Sequence, residues 1–171
     1  MIKATRQSAR QRKGLALLIQ HLPRGIRMAE VGCYSGESAE MFFQIGQIDN
    51  FIACDIWTGD AEICEPVFDA RLVPYSDRIR KLKMASAEGA DLIPDQSLDF
   101  VYIDAAHDYR NVAIDIDTWL PKVKPGGMIG GHDYNHKKYP GLVQAVNERF
   151  ISPDFIFPDS SWLVFDITRR A

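Results

Sequence analysis

Glu30-Val31-Gly32-Cys33-Tyr34-Ser35-Gly36-Glu37-Ser38 is the stretch that decides the fold. The residues leading into it, Ile26 to Val31, hold four apolar residues among six and read as a buried strand. Gly32 can adopt a positive φ and leaves space beside the backbone. Gly36 then allows a helix to begin at once. A strand, a glycine turn and a helix start in this order aim free backbone N–H groups at whatever binds beyond the strand end. Taken alone, a G-x-x-x-G of this kind is equally compatible with a plain tight turn.

Outward from this turn the chain alternates short apolar runs with helical stretches. A helix runs through Ala39, Met41, Phe42 and Ile45, and Phe51 to Cys54 is a second strand. Ala61 to Val73 is expected to be helical, with Pro66 marking a break or a start. Ile79 to Met84 and Leu98 to Ile103 are the third and fourth strands, the latter apolar enough for a parallel strand buried on both faces. A helix over Arg110 to Leu120 follows. Pro125-Gly126-Gly127 then turns into a fifth strand, Met128 to Gly131, and Pro140 opens a helix through Phe150. Phe155 to Phe157 and Trp162 to Ile167 close the pattern as a strand pair. Alternation of this kind specifies an α/β domain with a mostly parallel sheet and helices on both faces. In such sheets ligands sit beyond the carboxyl ends of the strands, so the residues just after each strand carry the function.

Three of these strand ends hold polar groups. Asp55 closes the second strand, where an acid can accept both hydroxyls of a ribose. The other role open to it is a cap or loop aspartate. Ile56 and Trp57 come next, and Trp57 could cover an adenine face or serve as core. Asp104, His107 and Asp108 fall within one turn of chain after the fourth strand, and His132 and Asp133 follow the fifth. Neighbouring strand ends lie close in space, so Asp104, His107, His132 and Asp133 can converge. Asp104, His132 and Asp133 are candidate ligands for Mg²⁺ or Mn²⁺. Hydrogen bonding that fixes the loop is the other role open to His132 and Asp133. His107 is a candidate general base, with Asp104 and Asp108 near enough in sequence to orient it.

Composition narrows the class. The 171 residues suit one domain, with an N-terminal helix over 1–24 and a core over 26–167. The formal charge of −3 excludes a general nucleic-acid binder, which needs a basic surplus. Cys33, Cys54 and Cys64 are odd in number and lack metal-type spacing, so a reducing cytoplasm is the expected setting. Lys3, Arg6, Arg10, Arg12 and Lys13 precede an apolar run that stops at Gln20 and His21, too short for a secretory signal. An amphipathic helix with its basic end in water is the expectation, and no stretch is long enough to span a membrane.

The same residues resemble a known family. Glu30 to Gly36 is similar to the first motif of class I S-adenosylmethionine-dependent methyltransferases, and Asp55 falls where their ribose-binding acid falls. Asp104 to Tyr109, then Asp115, Trp119, Leu120, Gly126, Gly127, Gly131-His132-Asp133-Tyr134 and Pro140 to Val146, resemble a bacterial subgroup related to macrocin-type sugar O-methyltransferases and cephalosporin-hydroxylase-like proteins. The resemblance covers about residues 26 to 167. It implies a Rossmann-like doubly wound seven-stranded sheet, order 3-2-1-4-5-7-6 with the last strand antiparallel. It implies S-adenosylmethionine contacts from Glu30, Gly32, Tyr34, Gly36, Asp55, Ile56, Trp57 and Asp104, with Ser86 and Ala87 near the adenine. Metal-dependent relatives carry an aspartate after strand four and an acidic or amide pair after strand five. His132 departs from that pattern. The activity implied is O-methylation of a hydroxylated small molecule such as a sugar, with a small-molecule acceptor and neither nucleic acid nor membrane as partner. The chain lacks long extra segments that build an acceptor lid, so a second copy in a homodimer, or the segment from Trp57 to Ser76, is the candidate source of one. Two other readings compete: a non-catalytic S-adenosylmethionine-binding protein, and an NAD-dependent dehydrogenase. The latter needs G-x-G-x-x-G, and Tyr34 stands where its second glycine belongs.

Overall fold

The computed structural model describes residues 9–170, the side chains of 9–12, 60, 169 and 170 excepted. Lys3 and Arg6, and the side chains of Arg10 and Arg12, on which the basic end of the expected N-terminal helix rests, therefore lie outside the described residues. The described part of that helix is α1, Ala9–Ile19. It is followed by β1 (Arg27–Val31), α2 (Glu37–Gly46), β2 (Asn50–Asp55), α3 (Glu65–Leu72), β3 (Ile79–Lys83) and α4 (Ser86–Asp91). The second half comprises β4 (Leu98–Ile103), α5 (Tyr109–Trp119), β5 (Val123–Gly131), α6 (Pro140–Phe150), β6 (Phe155–Ile156) and β7 (Trp162–Val164). The strands form one seven-stranded sheet in the order β3-β2-β1-β4-β5-β7-β6. All pairings from β3 to β5 are parallel, and β7 runs antiparallel to both β5 and β6. The strand order reverses between β1 and β4, which opens a crevice at the carboxyl ends of those two strands.

Period-two alternation sorts each strand's residues onto two faces. Ala29 and Val31 of β1, Ile52 and Cys54 of β2, and Val101 and Ile103 of β4 pack against α4, α5 and α6. Met28, Phe51, Ala53, Phe100 and Tyr102 point the other way, into a core shared with α1, α2 and α3. The aromatic load is high on this second face, where Phe42 meets Phe51, Phe100 and Tyr102. Each such ring contributes on the order of 1.5–3 kcal/mol by burial. Glu30 lies on the same face as Met28 and is wholly buried, an exception considered below.

Several elements differ from expectation for local reasons. The segment expected as one helix over 61–73 is a 3₁₀ stretch, Gly59–Cys64, then α3, then a second 3₁₀ stretch, Val73–Arg78. Pro66 sits in the first turn of α3, where its missing N–H is harmless, so it starts the helix rather than breaking it. The Pro125-Gly126-Gly127 turn is absorbed into β5, and a register irregularity against Leu98 and Phe100 takes up the extra residues. The last strand stops at Val164 instead of Ile167, which begins a 3₁₀ turn. Among the described residues no helix is long and apolar enough to cross a membrane.

Gly131, at the carboxyl end of β5, is required by close packing. A Cβ there would overlap the Ile103 carbonyl oxygen and stand 2.8 Å from the Trp162 Nε1, neither of which can move cheaply. Gly131→Ala is therefore expected to destabilise the domain by about 2–3 kcal/mol, the usual scale for overpacking. Urea unfolding measures it, and a change below about 0.5 kcal/mol, typical of unconstrained surface sites, would show that the two strand ends are not in contact.

Candidate active site

The glycine turn after β1 is fastened from three sides. Gly32 has φ 88° and Gly36 φ 76°. A Cβ on Gly32 would run into the Asp104 carbonyl oxygen and the Ala105 backbone, so the glycine first permits β1 and β4 to end against each other, and space for a ligand comes second. A Cβ on Gly36 would stand 2.9 Å from the Phe68 ring, which packs the turn onto α3. Arg71 donates from Nε to the Ser35 carbonyl at 2.9 Å and pairs with Glu37 and Glu40, tying α3 to the start of α2.

Asp55 holds the third side. Its Oδ2 accepts from the backbone N–H of Cys33 and of Tyr34, both at 2.8 Å, and its Oδ1 accepts from the N–H of Trp57 at 2.8 Å. Both carboxylate oxygens are thereby oriented at the crevice wall, with lone pairs to spare. Tyr34 (φ 46°), Trp57 (φ 42°) and Asp133 (φ 60°) all adopt left-handed backbone conformations. That conformation is costly for non-glycine residues, and here three of them follow strands at the same edge of the sheet.

A cavity of about 560 Å³ lies above β1, β2 and β4, within the size range of small-molecule and cofactor sites. Gly32, Tyr34, Asp55, Ile56, Ser86 and Asp104 line it, all of them expected at the cofactor. Cys54, Ala61, Met84, Asn111 and Asp115 also line it and were not expected there. Asp115 could have been read from the sequence. It sits on the same helical face as Val112, Ile116 and Trp119, an acid inside an apolar stripe. The other expected contacts fall elsewhere. Trp57 is buried in the opposite core, against Phe68, and donates from Nε1 to the Tyr34 carbonyl at 2.8 Å. It braces the turn from behind, and Ile56, 51% exposed, takes the place facing the cavity. Gly36 and Ala87 do not line the cavity; Gly36 serves the turn.

Glu30 is wholly buried beneath the turn, and neither carboxylate oxygen has a well-formed hydrogen bond. Burial raises its pKa to about 8, offset in part by the nearby Ser38 hydroxyl and reinforced by Asp104 and Asp55. It is therefore mostly a neutral acid at pH 7. Burial likewise raises Asp104 to about 7; His132 and His107 pull it down, and Asp133 and Asp159 push it up.

Beyond Asp104 the loops after β4 and β5 meet. His107 Nε2 lies 2.7 Å from Asp133 Oδ2, and the His107 ring stacks on Tyr139 at 4.4 Å between centroids. His132 Nδ1 lies 3.3 Å from the same Asp133 oxygen. Burial opposes the charge on Asp133, yet the two imidazoles hold its pKa well below the usual carboxylate range. Asp133 in turn raises the pKa of His107. Asp108, expected to orient His107, instead caps α5 by accepting from the Asn111 N–H at 3.1 Å. The three side chains with ligand atoms within 4.8 Å of one another are Asp104, His107 and Asp133. The set has His107 where His132 was expected; His132 contacts Asp133 and lies near enough to Asp104 to lower its pKa, but its ligand atom falls outside that group.

This fold and crevice are those of a class I S-adenosylmethionine-dependent methyltransferase. A family model described as a methyltransferase domain matches residues 29–134, from β1 to the Tyr134 that follows Asp133, and the chain belongs to that family. An uncharacterized protein, y4gI, of Sinorhizobium fredii is 30% identical over 151 residues, covering 81% of this chain and 16% of that protein. The chain thus spans about a sixth of that relative's length. Among solved structures, a SAM-dependent O-methyltransferase of Thermotoga maritima superposes with a TM-score of 0.65 at 15% identity, over 88% of this chain and 54% of the other. A Burkholderia thailandensis 1,6-didemethyltoxoflavin-N1-methyltransferase, solved with S-adenosylhomocysteine, gives 0.64 at 15% identity over 92% and 78%. At these identities the likeness is one of fold.

The raised pKa of Glu30 makes a stability prediction with a definite sign. An acid whose pKa is higher folded than unfolded stabilises the fold below its unfolded pKa of 4.5, and that stability is lost as pH rises through about 8. Glu30→Gln mimics the neutral form. Its melting temperature relative to the parent protein should therefore rise between pH 5 and pH 8.5, and parallel pH profiles would show that Glu30 is ionised within the fold.

Proposed function

We propose that this domain transfers a methyl group from S-adenosylmethionine to a hydroxyl of a small molecule, with sugars the leading acceptor class. The observation that carries this reading is the meeting of Asp104, His107 and Asp133 at the β4 and β5 ends, next to a crevice whose size and polar groups suit a nucleoside cofactor. Asp55 would hold the ribose hydroxyls, while Gly32 and Tyr34 supply the turn around the cofactor's amino-acid end. S-adenosylmethionine brings an activated methyl on a sulfonium, so the protein's task is largely to position the acceptor and exclude water.

A hydroxyl acceptor must also lose its proton. His107 Nε2 lies 2.7 Å from Asp133 Oδ2 without a well-aligned hydrogen bond, so the two groups meet as an ion-pair contact, and the neutral imidazole supplies the lone pair that takes the acceptor's proton. Asp133 strengthens it as a base and stabilises the imidazolium, the role an aspartate plays in hydrolase triads. Tyr139 fixes the ring plane. Asp104, His107 and Asp133 would alternatively hold Mg²⁺ or Mn²⁺, which would lower the acceptor's pKa. The sugar acceptor follows from the resemblance to macrocin-type enzymes.

A methyl-transfer assay with labelled S-adenosylmethionine over a panel of hydroxylated acceptors tests the reading. With a productive acceptor, turnover should rise with pH through an ionisation above the ordinary imidazole value of about 6.5. His107→Ala should lose roughly 10²–10⁴-fold in turnover with cofactor affinity nearly unchanged. Exhaustive chelation separates the two roles: full activity after it assigns His107 as base, and loss restored by Mg²⁺ or Mn²⁺ assigns the trio as ligands. Near-normal turnover in His107→Ala, with only a lower melting temperature, would make the histidine structural.

A further inference from the structure

The loop after β5 carries two cations that the protein does not neutralise. Lys81, Lys83, Lys122 and Lys124 each meet a carboxylate at 2.8 Å or less. Lys137 and Lys138 are exposed, and among the described residues no carboxylate lies within ion-pair distance of either. Asp133, the acid nearest to them in sequence, is taken up by His107 and His132.

The backbone that presents these lysines is fastened. Asn135 Oδ1 accepts from the N–H of Lys137 at 3.0 Å and of Lys138 at 3.2 Å, and the Asn135 carbonyl accepts from the Tyr139 N–H at 2.8 Å. One residue earlier, the Tyr134 hydroxyl donates to Asn147 of α6 at 2.8 Å. The Lys138 ammonium lies 4.7 Å from the centroid of the Tyr139 ring, and that ring stacks on His107 at 4.4 Å. Two successive contacts thus join an uncompensated ammonium to the proposed base. Tyr139, and at longer range Asp133, favour the charged form of Lys138.

We propose that the acceptor is a phosphomonoester of a sugar or polyol, its phosphate held at the rim of the site by Lys138 with Lys137 beside it. The inference rests on the methyl-transfer reading and narrows its acceptor class. A lysine ammonium is a compact point charge suited to phosphate. Two neighbouring ammoniums match the near-double charge of a phosphomonoester better than the single charge of a carboxylate. The crevice itself is rich in acids, so the rim lysines supply the attraction that draws an anion in. A phosphate and a hydroxyl on one sugar can engage Lys138 and His107 together, which orients the hydroxyl for transfer. The phosphate is a handle, and no bond to phosphorus changes.

Nuclear magnetic resonance of the His107 and Tyr139 rings during titration with inorganic phosphate, at about pH 8 where phosphate is mostly a dianion, tests this. Acetate and chloride at matched ionic strength are the comparison anions. Phosphate should shift both rings saturably, and acetate should bind more weakly. Lys138→Gln should weaken phosphate binding by at least about 5-fold, a modest value for a charge-assisted contact at an open surface. Lys138→Arg should retain it, and Lys122→Gln, which removes one charge at the opposite end of β5, should leave it unchanged. Absent or non-saturating shifts, an equal response to acetate, or equal weakening in Lys122→Gln and Lys138→Gln overturns the proposal, whatever the cofactor does. Calorimetry with S-adenosylhomocysteine is read separately: if phosphate binds as expected and S-adenosylhomocysteine does not, the methyl-donor reading fails and takes the acceptor assignment with it.

Discussion

Everything in the crevice depends on one carboxylate. Asp55, at the end of β2, gathers the N–H groups of Cys33, Tyr34 and Trp57, each at 2.8 Å. Two of these belong to the turn after β1 and one to the turn after β2, so the contact sets the spacing of both loops. The turn's unusual backbone conformations are affordable because the turn is over-determined: Asp55 holds it in front, Phe68 and Arg71 from α3, and Trp57 from behind. The same carboxylate lines the cavity wall, so the group that anchors both turns is also exposed to the crevice.

The crevice is also a concentration of acids. Glu30, Asp55, Asp104, Asp115 and Asp133 all surround or underlie it, and the protein manages them differently. Glu30 is held mostly neutral by burial, Asp133 is kept ionised by two imidazoles, and Asp55 is satisfied by backbone amides. Environments that push carboxyl pKa values in opposite directions within one site are a recurring mark of acid–base chemistry.

The fold was legible because β2, β4 and β7 are largely apolar runs, because α2, α5 and α6 carry apolar stripes, and because the turn at Gly32 marked the end of the first strand. The site was legible to the extent that it follows strand ends: Asp55, Asp104, His107 and Asp133 all do. What could not be read was direction. Trp57 follows Asp55 immediately, but the left-handed turn throws its ring behind the sheet and leaves Ile56 in front. Asp108 lies next to His107, yet the start of α5 claims its carboxylate as a cap, and Asp133, 26 positions from His107 in sequence, is the actual partner. Asp115 lay in mid-helix, away from any strand end, and only its place in the apolar stripe of α5 gave it away. The 3₁₀ stretches around α3 were missed because their composition does not distinguish them from an α-helix.

The central claim is that the Asp55-clamped turn forms a binding site for an S-adenosyl cofactor. Calorimetric titration of the parent protein and of Asp55→Ala, each with S-adenosylhomocysteine and with NAD, tests it most directly. The account predicts one S-adenosylhomocysteine per parent chain, no NAD binding, and a loss of about 1.5–3 kcal/mol in a folded Asp55→Ala, the scale of a hydrogen bond to a charged group. Unchanged affinity in that variant, or NAD bound in place of S-adenosylhomocysteine, would contradict it.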